Sequence, residues 1–292
     1  MDTNEVIEKL EDMRKKKNRY GCMVILSFLI PMPLMVILPF FGVDMAPVIG
    51  IVLIFAGVII FSKIAGNLTI KYKELYKETF VVSILEEQFD DVFYDYKRGF
   101  EESKVNQFGL VSRGNRYRSE DFIRGSYKGI SFEQSEVRIA HKKSNDDTET
   151  IYFRGRMIEF DFPFKEVKSV QIFTDTFPHR GKPSVNYNMK PVEMESTDFN
   201  KRFDVIAADP VDAYYVLTPQ FMERVDFLKE KFNHVGMNFQ GNKLYVGIWT
   251  GGDAFDGDPS REVNYLDEKA TIMGDVRVIT DIIDVLGMMN KE

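Results

Sequence analysis

The run from Tyr20 to Ser62 constrains this chain most, because 43 consecutive residues hold a single formal charge, Asp44. Charged and unpaired polar groups cost several kcal/mol in hydrocarbon, so a stretch this depleted of them suits lipid or the interior of a large core. Asp44 divides the run into Tyr20–Val43 and Met45–Ser62, 24 and 18 residues without charge. An α-helix needs roughly 17–25 apolar residues to cross a bilayer core of about 30 Å, and both halves qualify. Gly42, Val43 and Asp44 suit a compact turn, with Pro47 in the first turn of the second helix and Asp44 as its cap. The expectation is a transmembrane hairpin over residues 20–62, with spans at 20–41 and 45–62 and the lipid bilayer as its partner.

Cations set the orientation. Arg14, Lys15, Lys16, Lys17 and Arg19 precede the first span, Lys63, Lys71, Lys73 and Lys77 follow the second, and the turn has none. Under the positive-inside rule both termini are cytoplasmic and only the turn lies outside, as in a multi-pass cell-membrane protein. A signal peptide also places basic residues before an apolar run, but this run is too long, a second follows it, and no small-residue cleavage site separates them. Pro31 and Pro33 remove backbone donors in mid-span and predict a kink or break. Neither span holds a carboxylate, histidine, lysine or arginine, which argues against an ion or proton pathway.

Residues 1–62 contain six basic and six acidic side chains, so the net charge of −7 belongs to residues 63–292. An acidic remainder argues against nucleic acid as a partner, since that affinity rests on neutralising phosphates. The one cysteine, Cys22, falls in the first span. It rules out an internal disulfide, fits a reducing compartment and excludes thiolate-rich metal sites. Residues 63–292 are enough for one sizeable core or two small ones, and 25 Phe and 13 Tyr in the chain assign much of the packing to aromatic rings.

The patterning divides the chain into four parts. Residues 1–19 form an amphipathic cytoplasmic helix, with Asp2 and Glu5 as a capping-box-like start and Val6, Leu10 and Met13 on one face. Leu68, Tyr72, Leu75, Tyr76, Val82 and Phe89 keep a helical period after the hairpin, so residues 63–99 are expected to form a cytoplasmic helical stalk that continues the second span if Gly66 only bends the chain. Residues 100–292 make a cytoplasmic α+β domain with an antiparallel sheet and flanking helices. Its first helix, Glu101–Phe108, stops at Gly109.

Strands come next. Ile130 and Phe132, Val137 and Ile139, Ile151 and Phe153, Ile158, Phe160 and Phe162, then Val170 and Ile172 alternate with polar residues, which predicts an antiparallel sheet with one buried face; Ser144–Thr148 is a polar turn. Thr176–Pro191 reads as a loop, and Val192–Ala207 as mixed, with Phe203, Val205 and Ile206 in a strand. Asp209 before Pro210 and Thr218 before Pro219 are helix starts, the second helix burying Phe221, Met222, Val225, Leu228 and Phe232. Met237 and Phe239, then Leu244, Val246 and Ile248, make a hairpin. Gly251–Pro259 is an exposed acidic loop, and a last helix over Asp275–Met288 presents Val276, Ile279, Ile282, Ile283 and Leu286 on one face.

No spacing in the chain announces a reaction. His141, His179 and His234 are far apart and belong to no HExxH or other metal-spaced set. Asp253, Asp256 and Asp258 offer oxygen ligands to a hard cation, yet the calcium-loop spacing with a distal Glu is not met; they read as a solvated loop, and as a metal site only in second place. Arg180-Gly181-Lys182 has the end of a phosphate loop without its upstream Gly, and Pro183 stands where Ser or Thr is required. GxSxG and GxGxxG do not occur. Hence no catalytic residue and no cofactor is expected. Arg113, Arg116, Arg118 and Arg124 are balanced by Glu120 and Asp121 and read as a solvated surface. Within it Arg116 and Arg118, together with Tyr94 and Tyr96, are the candidates for partner contact.

Four phrases in this order resemble one family: Asp121-Phe-Ile-Arg-Gly-Ser-Tyr-Lys-Gly-Ile-Ser-Phe, Tyr152-Phe-Arg-Gly-Arg-Met-Ile-Glu-Phe-Asp-Phe, Phe199-Asn-Lys-Arg-Phe-Asp-Val and Asp209-Pro-Val-Asp-Ala-Tyr-Tyr-Val-Leu-Thr-Pro-Gln-Phe-Met-Glu-Arg. The last two are the most specific. The family is the bacterial membrane group catalogued as domain of unknown function 3137 (DUF3137), and the resemblance spans Phe100 to Leu286. It implies two N-terminal spans and a cytoplasmic α+β domain, and brings no substrate, cofactor or catalytic residue. The loop Gly251–Pro259 matches none of its phrases.

These readings favour a cytoplasmic protein- or ligand-binding module tethered to the inner membrane, its partner an unidentified membrane or cytoplasmic protein. Two alternatives stay open. One is a metal-dependent membrane-bound hydrolase using Asp253, Asp256 or Asp258; the other is a membrane-assembly or transport accessory acting through the break at Pro31 and Pro33.

Overall fold

A computed structural model describes residues 3–143, 148–161, 166–182 and 188–287. Asp2, the centre of the turn at 144–148, Phe162, Pro183, the Leu286 side chain and Met288 lie outside the described residues. The chain separates into two compact units, Met1–Ser83 with Asp256–Ile272, and Ile84–Phe255 with Met273–Glu292.

In the first unit α1 (Thr3–Leu29) runs from the charged start straight into the apolar stretch. The amphipathic segment and the first span are therefore one helix; Gly21 does not stop it, since an interior glycine costs only about 1 kcal/mol. The chain breaks at Ile30 and resumes as α2 (Pro31–Ile37), with Pro31 in the first turn, where a missing N–H costs nothing. A 3-10 turn at Leu38–Phe41 and Gly42, at φ +80°, reverse the direction. The helix α3 (Ala46–Tyr76) then carries the second apolar run and continues beyond Lys63; helix extends only to Gln88 of the 63–99 segment, whose residues Asp90–Asp95 are a strand. Asp44 does not cap it. Met45 occupies that position without a side-chain bond, and Pro47 lies in the first turn, where its missing N–H needs no acceptor.

Helices α1 and α3 pack antiparallel, with Tyr20 and Phe61 stacked at 6.3 Å. A Cβ on Gly57 would stand 2.5 Å from Ser27 Oγ, so only glycine permits this approach. Ile25, Phe28, Leu29, Val52, Phe55 and Ile59 are exposed on the outward faces. By length and composition two helical stretches, Thr3–Phe41 and Ala46–Gln88, are able to cross a membrane. Beyond Tyr76 a π turn at Lys77–Val81 leads into α4 (Val82–Gln88).

The second unit is built on nine antiparallel strands: β1 (Asp90–Asp95), β2 (Arg116–Tyr127), β3 (Ile130–Lys142), β4 (Glu149–Asp161), β5 (Val167–Thr174), β6 (Lys190–Pro191), β7 (Phe203–Ala207), β8 (Val235–Gly241) and β9 (Lys243–Trp249). Their order is β1-β2-β3-β4-β9-β8-β5-β7-β6. The helices are α5 (Glu102–Phe108), α6 (Thr197–Arg202), α7 (Pro210–Val216), α8 (Pro219–Phe232) and the part of α9 (Tyr265–Gly287) from Met273 onward. Together with the two apolar helices this is an α+β fold.

The sheet has two buried faces where one was expected. On one face Phe108 and Leu110 join Val137, Ile139, Phe153 and Met157; on the other Phe221 of α8 meets Phe239, ring centres 5.7 Å apart. The reason lies in β3 and β4, whose apolar residues change parity halfway, from Ile130 and Phe132 to Val137 and Ile139, and from Phe153 to Ile158 and Phe160. Each strand thus contributes to both cores, β4 through Phe153 and Met157 on one face and Ile158 and Phe160 on the other. Two elements differ further. Ser196 caps α6 inside the segment read as mixed, and α9 starts ten residues early because Asn264 Oδ1 accepts from the Leu266 N–H at 3.0 Å. Of the five apolar residues assigned to α8, Phe221, Val225 and Leu228 are buried, while Met222 and Phe232 are half-buried.

Candidate functional site

The polar residues of the second unit converge where three strands align Glu120, Glu136 and Arg156 as cross-strand neighbours. These side chains leave the same face of the sheet. Next to them β2 bulges, and Asp121 adopts φ +55°, a left-handed conformation that Asp tolerates better than most residues. The bulge turns its carboxylate inward, where it accepts from the Tyr94 hydroxyl at 2.5 Å.

Arg156 is only 1% exposed. Its guanidinium donates to the Asp275 carbonyl and, at 2.7 Å, to the Asp275 carboxylate, and it lies 4.9 Å over the Phe255 ring. The second Asp275 oxygen accepts from the Phe255 N–H at 3.0 Å. Glu136, 5% exposed, accepts from the Ala254 N–H at 2.8 Å. Burial pushes its carboxyl up to about 9, and a hydrogen bond with Asp253 works in the same direction. At neutral pH Glu136 therefore keeps its proton and donates it to Asp253, which Arg154 holds at 2.7 Å. The cluster latches residues 253–255 to the sheet.

That latch corrects the reading of Gly251–Pro259 as a solvated loop. Ala254, Phe255 and Gly257 are buried. The three aspartates also have separate duties. Asp253 serves Glu136 and Arg154; Asp256, in the first unit, accepts from Lys73 at 2.5 Å and Lys77 at 2.9 Å. Asp258 accepts from the Ser260 N–H and hydroxyl, which hold its pKa below the ordinary value. Among the described residues no group of three or more His, Cys, Asp or Glu is placed to hold a metal ion.

Of the candidate partner residues, Tyr94 and Tyr96 lie together, their ring centres 6.5 Å apart. Tyr94 belongs to the buried cluster, and its ring stands 6.3 Å from Phe255. Tyr96 lies under Lys97 at 5.0 Å. Arg118 pairs with Glu120 at 3.0 Å on the exposed start of β2, beside exposed Arg116. His141 and His179, distant in sequence, both stack on Tyr152, at 5.9 and 4.4 Å.

A cleft of about 370 Å³ opens on the second unit between Arg124, Ser131, Glu133, Glu159, Asp161 and Lys243. Lys104 of α5 bridges Glu133 and Glu159. Lys243 reaches Glu159 at 2.5 Å and Asp161 at 2.9 Å; desolvation opposes its charge, but these two carboxylates hold its pKa above the ordinary value. The lining thus presents amine, guanidinium, carboxylate and hydroxyl groups, a set able to bind polar groups of both signs. Sequence reasoning passed over Glu136, Arg156 and Lys243. The parity change in β3 and β4 was the available signal for the first two, since it leaves a charged residue on a buried face.

Residues 151–288 match the sequence model of a family described as "Protein of unknown function (DUF3137)". The phrases starting at Tyr152, Phe199 and Asp209 fall inside that stretch, and the one starting at Asp121 precedes it. No curated protein matches the chain. The crystal structure of the mycobacterial trehalose monomycolate transport factor A, TtfA, aligns with 66% of this chain and 86% of its own, at 10% identity and a TM-score of 0.37, a likeness too slight to bear on function. The resemblance to the DUF3137 family is thus borne out over residues 151–288.

Proposed function

We propose that this protein is a membrane-anchored binding module. The hairpin of residues 20–62 fixes it in the cell membrane with both ends cytoplasmic, and the sheet unit engages a protein or polar ligand through the cleft around Arg124 and Lys243. The observation that supports the anchor is the outward surface of the hairpin, where Ile25, Phe28, Leu29, Phe40, Phe41, Val52, Phe55 and Ile59 are all exposed. Water-soluble proteins rarely tolerate a contiguous apolar surface of that kind, whereas hydrocarbon matches it. The basic residues on both flanks and their absence from the turn support the orientation.

The test combines extraction with labelling. The full chain should stay in the membrane pellet after alkaline carbonate treatment, and release into the supernatant would end the anchor reading. In a Cys22→Ser background, Val43→Cys should react with an impermeant thiol reagent on intact cells, and Glu223→Cys, exposed on α8, only after lysis. The reverse labelling would invert the orientation. For the cleft, a partner retained by wild type and lost from Arg124→Glu with Lys243→Glu supports binding there; a partner retained by both places the contact elsewhere.

A further inference from the structure

Several cations of the first unit are already engaged, Lys17 among them through the Pro259 carbonyl at 3.4 Å. Lys9 pairs with Glu5 at 2.8 Å, Arg14 with Glu11 at 2.8 Å, Lys16 with Asp12 at 2.7 Å, and Lys73 and Lys77 with Asp256. Lys15, Arg19 and Lys63 are exposed and have no carboxylate at ion-pair distance among the described residues. With half-buried Lys17 held by the Pro259 carbonyl and Lys16 paired, those three are the exposed, unpaired cations nearest the apolar run. Arg19 adjoins Tyr20 and Lys63 adjoins Ser62, and the stack of Tyr20 on Phe61 brings the two helices level at that boundary. Lys15 is four residues further along α1, about 6 Å by the helical rise.

The acids begin deeper. Going outward from Tyr20 the first carboxylate is Asp12, about 12 Å away, and going outward from Ser62 it is Glu74, about 18 Å away. The polar layer flanking a bilayer core is about 5–8 Å thick on each side. Next to the apolar run the turns of α1 and α3 therefore carry cations and no carboxylate of their own, with Asp258 facing Lys17 from the 256–272 segment; further out Lys9, Arg14, Lys16, Lys73 and Lys77 are paired and Lys71 is exposed.

Resting on the membrane reading above, we infer that Lys15, Arg19 and Lys63 form a collar that binds the phosphates of anionic phospholipids around the hairpin. The Arg19 guanidinium has the fork geometry for a phosphate, and the two ammonium groups add point charges at the same level. Tyr20, aromatic and amphipathic, sits where such residues anchor at the interface.

The full chain, reconstituted into phosphatidylcholine with phosphatidylglycerol as the minor lipid, is extracted gently and its retained lipids are counted by native mass spectrometry. The retained phosphatidylglycerol-to-phosphatidylcholine ratio should exceed the bulk ratio, by on the order of fivefold for each cation engaged. Lys15→Gln with Arg19→Gln and Lys63→Gln should bring it to the bulk value. Lys15→Arg with Arg19→Lys and Lys63→Arg should restore it, and Lys71→Gln, an exposed cation two turns beyond Lys63, should leave it unchanged.

Wild type without enrichment, or enrichment that survives in the Gln triple variant, overturns the collar. So does enrichment abolished by inorganic phosphate at constant ionic strength, which would mark a free-anion site. Resistance to carbonate is measured on the same samples. A chain that resists extraction yet shows no enrichment loses only the collar, whereas a chain that is extracted loses the anchor itself.

Discussion

The Tyr76 hydroxyl donates to the Glu268 carboxylate at 2.8 Å, joining the end of α3 to the first turn of α9 across 192 positions of sequence. Glu268 is 1% exposed, and Arg261 stands 3.3 Å from the same carboxylate. Burial, then the Glu268 charge, raises the Tyr76 pKa, so the phenol remains a donor across the physiological range. Further out, Val263 N–H donates to Glu11 at 2.7 Å, which ties the same segment to α1.

Tyr76→Phe keeps the ring and deletes the donor. A buried carboxylate left short of a partner costs about 1–3 kcal/mol, and the loss falls on the segment that Glu268 anchors. Amide exchange in Tyr265–Ile272 should speed up by roughly tenfold, with exchange in β3 and β4 unchanged. Equal protection in the variant would show that Arg261 alone is sufficient.

The buried Glu136 predicts a pH dependence with a definite sign. Its pKa in the folded protein is raised to about 9, above the value of about 4.3 in an unfolded chain. Between those values the folded state binds the extra proton, so stability is fullest below the unfolded pKa and declines as pH rises towards 9. The slope is at most about 1.4 kcal/mol per pH unit. Glu136→Gln keeps an acceptor for the Ala254 N–H and removes the titration, so its stability should be flatter from pH 5 to pH 9 and exceed wild type at the alkaline end. The single tryptophan, Trp249, lies in β9 and reports unfolding of this unit alone. Parallel pH profiles for the two proteins would refute the assignment.

Arg156 and Asp275 make a buried pair whose value lies in being complete. Asp275→Ala strands a guanidinium away from water and should cost about 3–5 kcal/mol in urea unfolding followed by Trp249. Arg156→Met with Asp275→Leu removes both charges and should recover most of that loss. A double variant as unstable as the single one would mean that the Asp275 contact to the Phe255 N–H, at 3.0 Å, matters more than the charge.

The features legible in the sequence are those that depend on local pattern. The charge-free run, the break ahead of Pro31 and the caps at Asp209 and Thr218 rest on neighbours within a few residues, and each is found in place; the alternation located the strands but not their second buried face. The latch was not legible, because it needs Glu136, Arg156, Asp253 and Asp275 from four separate segments: strand register joins the first two, while the loop after β9 and helix α9 bring the others. The acidic loop misled for a related reason. Asp256 looked solvated until Lys73 and Lys77 of the stalk supplied its partners, at 2.5 and 2.9 Å. The early start of α9 was hidden by Glu268, which reads as a surface residue yet points inward to Tyr76.

Gly57 tests the hairpin itself. With no Cβ it lets α3 approach Ser27, whose hydroxyl is bonded back to the Met23 carbonyl at 2.8 Å. An added Cβ would stand 2.5 Å from that hydroxyl, which is tighter than van der Waals contact allows, and Leu would add a branched side chain to the same gap. Because hydrocarbon supplies no hydrophobic drive between two apolar helices, close packing is what holds them together. Gly57→Leu should therefore part the helices without removing them from the membrane. Carbonate resistance should persist, while helix separation measured between spin labels at Met23 and Phe61, in a Cys22→Ser background, should increase by several ångströms relative to the same pair without the substitution. An unchanged separation would assign the hairpin's cohesion to the turn at Gly42 and to the contacts beyond Lys63.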